Sequence, residues 1–151
     1  MTEPLQVTLA TRNSGKVQEF NRLLGGVFTL VPLPATVDLP PESGTTFQEN
    51  ARLKALAAFT ALGGKQGVLA DDSGLEVEAL GGKPGVLSAR YAGERATDAD
   101  NVRKLLDELA GISQRTARFV CVLCLALPQD DGDAGSLVRE GTSSKPLLVE
   151  V

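Results

Sequence analysis

An α/β fold with a mixed sheet is predicted by three observations. Short apolar segments that read as strands alternate with stretches of helical periodicity. Glycine pairs follow two of the helical stretches and stop them. The last long apolar segment is followed by an acidic turn and a returning strand, a hairpin pattern that adds antiparallel pairing.

The elements follow in order. Leu5-Gln-Val-Thr-Leu-Ala10 is short, apolar and alternating, and reads as a strand. Thr11-Arg-Asn-Ser-Gly-Lys16 is a small polar turn. Val17, Phe20, Leu23 and Leu24 then recur at helical spacing, and Gly25-Gly26 ends that helix. Val27 to Val31 reads as a second strand, and the proline-rich stretch from Pro32 to Ser43 as an exposed loop. Thr46-Phe-Gln-Glu49 matches the capping box, a hydroxyl at the N-cap with a carboxylate three residues on. This opens a helix to about Leu62, with Ala55, Ala58, Phe59 and Leu62 on one side and Gly63-Gly64 at its end. Gly67 to Ala70 is a short apolar strand that runs into an Asp71-Asp72-Ser73-Gly74 turn. Leu75 to Leu80 alternates apolar and acidic residues, as an edge strand or hairpin arm would. Gly81 to Gly85 is a turn. Thr97-Asp-Ala-Asp100 opens a helix with Val102, Leu105, Leu106 and Leu109 on one face. Arg118 to Leu127 is the longest strand candidate, Gln129 to Gly135 an acidic turn, and Ser136 to Glu140 the returning strand.

Composition narrows the chemistry. With 151 residues the chain fits a single domain, 1–151, with no internal repeat or linker. It contains no histidine, which excludes a Ser-His-Asp triad, a His general base and a His-ligated zinc. Catalysis would fall to carboxylates, lysines, hydroxyls, backbone amides or a metal held by oxygen. The net charge of −4 argues against duplex nucleic acid as a partner. No apolar run is long enough to span a membrane and no signal peptide is apparent, so a cytoplasmic protein is the default expectation. Cys121 and Cys124 form a C-x-x-C inside a strand candidate, where residues three apart point to opposite faces. They read as core residues, not a redox or zinc pair.

Four segments could carry chemistry. Thr11 to Lys16 is a glycine turn entering a helix, and free N–H groups with the helix dipole suit a phosphate there. The other reading is a plain N-cap by Asn13 or Ser14 with a solvated lysine. Asp71-Asp72-Ser73-Gly74 follows a strand, where open α/β sheets place ligands, and its carboxylates suit Mg²⁺ and proton abstraction from water. It reads equally as a solvated turn. Glu49 is explained as the capping-box acid, whereas Glu42 has no structural role and is a candidate second metal ligand. Gly81 to Gly93, with Lys83, Ser88, Arg90 and Tyr91, either lines a cleft or is a turn followed by an ordinary strand with Arg90 on the surface.

Together these segments resemble the non-standard purine nucleoside triphosphate pyrophosphatases, the Ham1/inosine triphosphate pyrophosphatase family. The resemblance is carried by Leu9 to Lys16, Glu42 to Ala51 with Lys54, Ala70 to Val77 and Leu80 to Gly93, and continues through Ala96-Thr-Asp98, Asn101 and Ala117-Arg-Phe119. It covers about residue 5 to Thr142. It implies a two-lobed, twisted mixed sheet flanked by helices around a central cleft, and a homodimer. It implies Mg²⁺-dependent hydrolysis of ITP, dITP and XTP to the monophosphate and pyrophosphate. Thr11, Arg12, Asn13, Ser14, Gly15 and Lys16 would meet the phosphates, with Ser73 also touching substrate. Asp72 would be the base and a metal contact, Glu42 the other metal ligand, and Lys16 a catalytic cation.

Family members go on to a Gly-Phe-Gly-Tyr-Asp-Pro motif, a later lysine and a Ser-His-Arg motif that help hold the base. Here the match fades at Gly141-Thr142, and the zero histidine count leaves no Ser-His-Arg. The expectation is a C-terminally shortened fold with the phosphate-and-metal half present and the base-recognition half missing. Its triphosphate binding would be weaker and less selective. The alternative function is a non-catalytic nucleotide-binding or dimerisation module of the same fold.

Overall fold

The computed structural model describes residues 5–128, 137–142 and 147–150. Its elements are β1 (Leu5–Leu9), α1 (Ser14–Leu24), β2 (Phe28–Pro32), α2 (Phe47–Ala61), β3 (Gly67–Val77), α3 (Asp98–Glu108), β4 (Thr116–Leu127), β5 (Leu137–Thr142) and β6 (Leu147–Glu150). One sheet joins all the strands in the order β2-β1-β3-β4-β5, with β6 also on β4. β1 is parallel to β2 and to β3. β4 is antiparallel to β3, β5 and β6. The predicted mixed sheet is therefore present, and β3 is where the parallel half meets the antiparallel half.

The two sheet faces bury different side chains because strand residues alternate. On one face Val7, Leu9, Leu30 and Leu69 pack under α1 through Phe20 and the partly buried Val17 and Leu24. On the other, Ala10, Val68, Ala70, Val122, Cys124 and Ala126 pack under Phe47, Ala51, Ala55 and Ala58 of α2. The alanine stripe of α2 is fully buried, so the helix backbone lies close on the sheet. A third cluster, Val77, Leu109 and Ala117 with Leu75, Leu80, Leu105 and Ile112, joins α3 to the far ends of β3 and β4. It is the core of a second lobe, beyond the layers formed by α1 and α2.

Six expectations change. The Asp71-Asp72-Ser73-Gly74 segment is not a turn: β3 continues through it to Val77, in register with β4 from Asp71↔Leu123 to Gly74↔Val120. Pairing with β4 gives these residues the ladder bonds that their turn-prone composition does not predict. Gly85–Arg90 is a 3₁₀ helix, not a strand, and Glu78–Leu80 is a 3₁₀ turn, not an extension of the arm. The four apolar residues of α3 do not share one buried face. Leu109 is buried and Leu105 packs against the same cluster, but Val102 and Leu106 are exposed. Cys124 is buried in the core, whereas Cys121 points to the opposite face and is exposed. Finally, β6 pairs with Thr116 to Phe119 of β4, a strand not expected in the divergent tail. The acidic turn Gln129 to Gly135 and the start of the returning strand at Ser136 lie outside the described residues. Among the described residues, no helix is long and apolar enough to cross a membrane.

Candidate functional site

The parallel half of the sheet fixes the site. β1 pairs with β3 only as far as Leu69, and the chain then leaves the sheet into α1. Ala10 closes that end with a bond from its N–H to the Leu69 carbonyl at 2.8 Å. β3 runs on past this edge, so Asp71 and Asp72 stand beyond the carboxyl end of β1. That is the crevice position expected of an α/β sheet, reached from inside a strand.

Thr11 to Lys16 forms the entry to α1. Asn13 is the N-cap, its Oδ1 accepting from the N–H groups of Gly15 at 2.9 Å and Lys16 at 3.3 Å. Thr11 Oγ1 accepts from the Asn13 N–H at 3.1 Å. The plain N-cap reading therefore holds for these amides. The solvated-lysine part does not: Lys16 Nζ donates to Asp71 Oδ2 at 2.7 Å and lies 3.5 Å from Ser73 Oγ. Arg12 is placed differently from the substrate-binding expectation. Its guanidinium donates to the carbonyls of Leu33, Pro34 and Val37, which pins the proline-rich loop. A long cation satisfied by three loop carbonyls is a brace.

Alternation along β3 divides the acidic pair. Asp71 and Ser73 face α1 and Lys16. Asp72 faces α2, where Asn50 Nδ2 donates to its Oδ2 at 2.9 Å, and its Oδ1 accepts the Ser73 N–H at 3.1 Å. Both carboxylates are buried. Among the described residues, Asp71 Oδ1 is buried without a hydrogen-bond partner. Burial pushes the Asp72 carboxyl above its usual value of 3.8; the Asn50 bond opposes this, the Glu42 charge adds to it, and Lys54 and the Ser73 amide oppose it.

Glu42 joins Asp72 on the α2 side. Lys54 Nζ donates to Glu42 Oε1 at 2.8 Å, and Arg90 donates to the Glu42 carbonyl at 2.8 Å, with its Nη1 3.7 Å from Oε2. Arg90 is thus a link between the second lobe and the Glu42 loop. Glu49 stays out of the cluster. It accepts from the Thr45 and Thr46 N–H groups and the Thr45 hydroxyl, which hold its carboxyl below 4.5. The capping reading of Glu49 is the one its contacts support.

The cleft between the lobes has a volume of about 1050 Å³. Lys16, Asp71 and Ser73 lie on its floor beside Cys121, with the Thr45–Gln48 start of α2 and the Gly81–Leu87 loop on its walls. Asp72 and Glu42 are not among the residues that line the cleft. Although Cys121 keeps solvent exposure, partial desolvation of its sulfur raises the thiol above its usual value, and the Asp71 charge adds to that.

Sequence reasoning did not assign roles to Asn50 and Lys54, both buried. A polar residue on the alanine stripe of α2 was the available signal, because a buried polar group demands a partner. Among the described residues no trio of His, Cys, Asp and Glu forms a metal cluster. Two anionic carboxylates are nevertheless a fitting donor set for a hard divalent cation that completes its shell with water and phosphate oxygens. The mutual repulsion of Asp72 and Glu42 is what a cation would relieve.

Comparisons with known proteins bear on the family and the fold. The Ham1 family model matches residues 7–144. A dITP/XTP pyrophosphatase of Geobacillus kaustophilus is 53% identical over 129 residues, 82% of this chain and 62% of the relative. One of Halalkalibacterium halodurans is 48% identical over 94% of this chain and 73% of its own length. The structure of the Staphylococcus aureus Ham1 protein superposes with a TM-score of 0.71 at 41% identity, covering 91% of this chain and 69% of that one. This chain thus spans a little under two thirds of the Geobacillus relative. A match across nearly the whole described chain, in sequence and in fold, places this protein in the Ham1 family.

Proposed function

We propose that this protein hydrolyses non-standard purine nucleoside triphosphates (ITP, dITP and XTP) to the monophosphate and pyrophosphate, with Mg²⁺ as cofactor. The observation that carries the reading is the buried Asp72 with the half-buried Glu42 beside it and Lys54 against Glu42, one strand face away from Lys16 and Ser73 on the cleft floor. The relatives named dITP/XTP pyrophosphatases supply the substrate class.

The chemistry asks little covalent work of the protein. A water attacks the α-phosphorus, the bond to the bridging α–β oxygen breaks, and pyrophosphate leaves. Asp72 accepts the water's proton at Oδ1, the oxygen that accepts the Ser73 N–H but not the Asn50 amide. Its raised affinity for protons, a product of burial, suits that role. Lys16 keeps donors beyond the one given to Asp71, and these meet phosphate oxygens as charge builds. Thr11, Asn13, Ser14 and Gly15 shape the turn around them, while Arg12 braces the loop that carries the chain toward Glu42. Glu42 and Asp72 would hold Mg²⁺, which when bound offsets the negative charge of the phosphates. The same reading takes residues 1–151 as a single domain acting as a cytoplasmic homodimer.

Pyrophosphate release by the chain with Mg²⁺, from ITP, XTP and ATP, tests the reading. Asp72→Asn should lower the rate about 10²–10⁴-fold. An unchanged rate in that variant would remove Asp72 as the base. No release by a folded wild-type chain would leave a nucleotide-binding module in place of an enzyme.

A further inference from the structure

We propose that Asn50 is a positioning residue that sets the relation between Glu42 and Asp72, resting on the reading above that these two carboxylates hold the divalent cation. Asn50 lies on α2 and is wholly buried. Its side chain is bonded at both ends. Nδ2 donates to Asp72 Oδ2 at 2.9 Å, and Oδ1 accepts the Gly44 N–H at 2.7 Å. Gly44 is two residues along the chain from Glu42. One carboxamide therefore ties the strand that carries one carboxylate to the loop that carries the other.

The chemistry admits few substitutes. The loop end presents a donor and the strand end an acceptor, so the bridging side chain must offer an acceptor and a donor together. Aspartate would set an acceptor against the Asp72 carboxylate, and leucine would satisfy neither end. The amide orientation is fixed by the same logic, because the flipped amide would face N–H to N–H and oxygen to carboxylate. The loop must also come close. A Cβ on Gly44 would lie 2.6 Å from Asn50 Oδ1 and 2.7 Å from the Glu49 Cβ, so only glycine reaches this bond unshifted. The capping box, with Thr46 one turn before Asn50 and Glu49 next to it, fixes where α2 starts. Helix start, amide bridge and glycine together hold the Glu42 loop on the sheet.

Binding of Mn²⁺ alone, followed through the free-ion signal in electron paramagnetic resonance, tests this without turnover. Asn50→Leu and Gly44→Ala break the bridge from its two ends. Each should weaken Mn²⁺ binding by about 10–100-fold in protein that circular dichroism shows to be folded. The double variant should lose little more than either single one, because both remove the same bond. Wild-type affinity in folded Asn50→Leu would overturn the proposal. Should that variant fail to fold, wild-type affinity in Gly44→Ala overturns it equally. Glu42→Gln and Asp72→Asn are the companion arms. If they abolish Mn²⁺ binding while Asn50→Leu leaves it intact, the positioning role alone falls. If they leave it intact, the metal reading falls and takes the positioning role with it.

Discussion

Asp72 and Glu49 show how one chemical group, the carboxyl, answers to its surroundings. Burial raises Asp72, so the folded protein holds its proton to a higher pH than the unfolded chain does. Stability from this group is present at low pH and is lost as pH rises from about the usual 3.8 through the raised folded value. Asp72→Asn should therefore melt higher than wild type at pH 7 while losing activity, and the difference in Tm should vanish in acid. A lower melting point at pH 7 would show that the charged form is well accommodated. The Lys16–Asp71 pair sets the other residue-scale expectation. Asp71 is buried and, among the described residues, has one oxygen without a partner. Lys16→Met strips the remaining partner and should cost about 1–3 kcal/mol in urea denaturation. Adding Asp71→Leu should return part of that loss, since a paired apolar replacement leaves no stranded charge.

At the scale of elements, α2 depends on its N-terminus. Thr46 accepts from the Glu49 N–H at 3.1 Å while Glu49 returns bonds to Thr45 and Thr46. These bonds hold the Glu49 carboxyl below 4.5, the opposite direction from Asp72. The stabilisation is present above about 4.5 and is lost as pH falls through the lowered folded value. The melting temperature of Glu49→Gln should trail wild type at pH 7, and the gap should close as the buffer is taken below pH 4; a gap constant with pH would mean the carboxylate charge is irrelevant to the cap. The helices were legible because caps and periodicity are local. β3 was only half legible. Gly67 to Ala70 has the apolar run of a strand, but Asp71 to Gly74 is made of turn formers, and only the partner β4 turns them into ladder residues. The α3 face was misassigned for a related reason. Spacing groups Val102, Leu105, Leu106 and Leu109, but of these only Leu105 and Leu109 pack into the second-lobe core, while Val102 and Leu106 are exposed.

Across the whole molecule, Gly74 is where the lobes meet. A Cβ there would lie 2.4 Å from the Gly85 carbonyl, 2.6 Å from Ser88 Oγ and 3.0 Å from the Phe47 ring. Ser88 closes the same junction, accepting the Leu75 N–H at 2.9 Å and donating to the Gly85 carbonyl at 2.6 Å. Gly74→Ala drives a methyl between β3, the 81–90 loop and α2, and should cost about 1–3 kcal/mol of folding stability. A denaturation curve matching wild type would mean that the lobes separate freely at this point. Two further contacts draw the lobes and strands together: Arg90 on Glu42 from across the cleft, and the cross-strand pair Arg118–Glu76 at 2.6 Å.

The sequence by itself determined the α/β class, the helix starts, the absence of histidine chemistry and the segments that supply the site. These follow from local periodicity, capping chemistry and composition, which need no distant partner. The tertiary structure decided which side chains meet. Adjacent Asp71 and Asp72 go to opposite faces because β4 extends the strand through them, which gives Lys16 to Asp71 and Asn50 to Asp72. Arg12 becomes a loop brace, and Lys54 and Arg90 converge on Glu42, through contacts between elements far apart in the chain. Pairings of that kind depend on sheet register and lobe packing, which no stretch of sequence encodes alone.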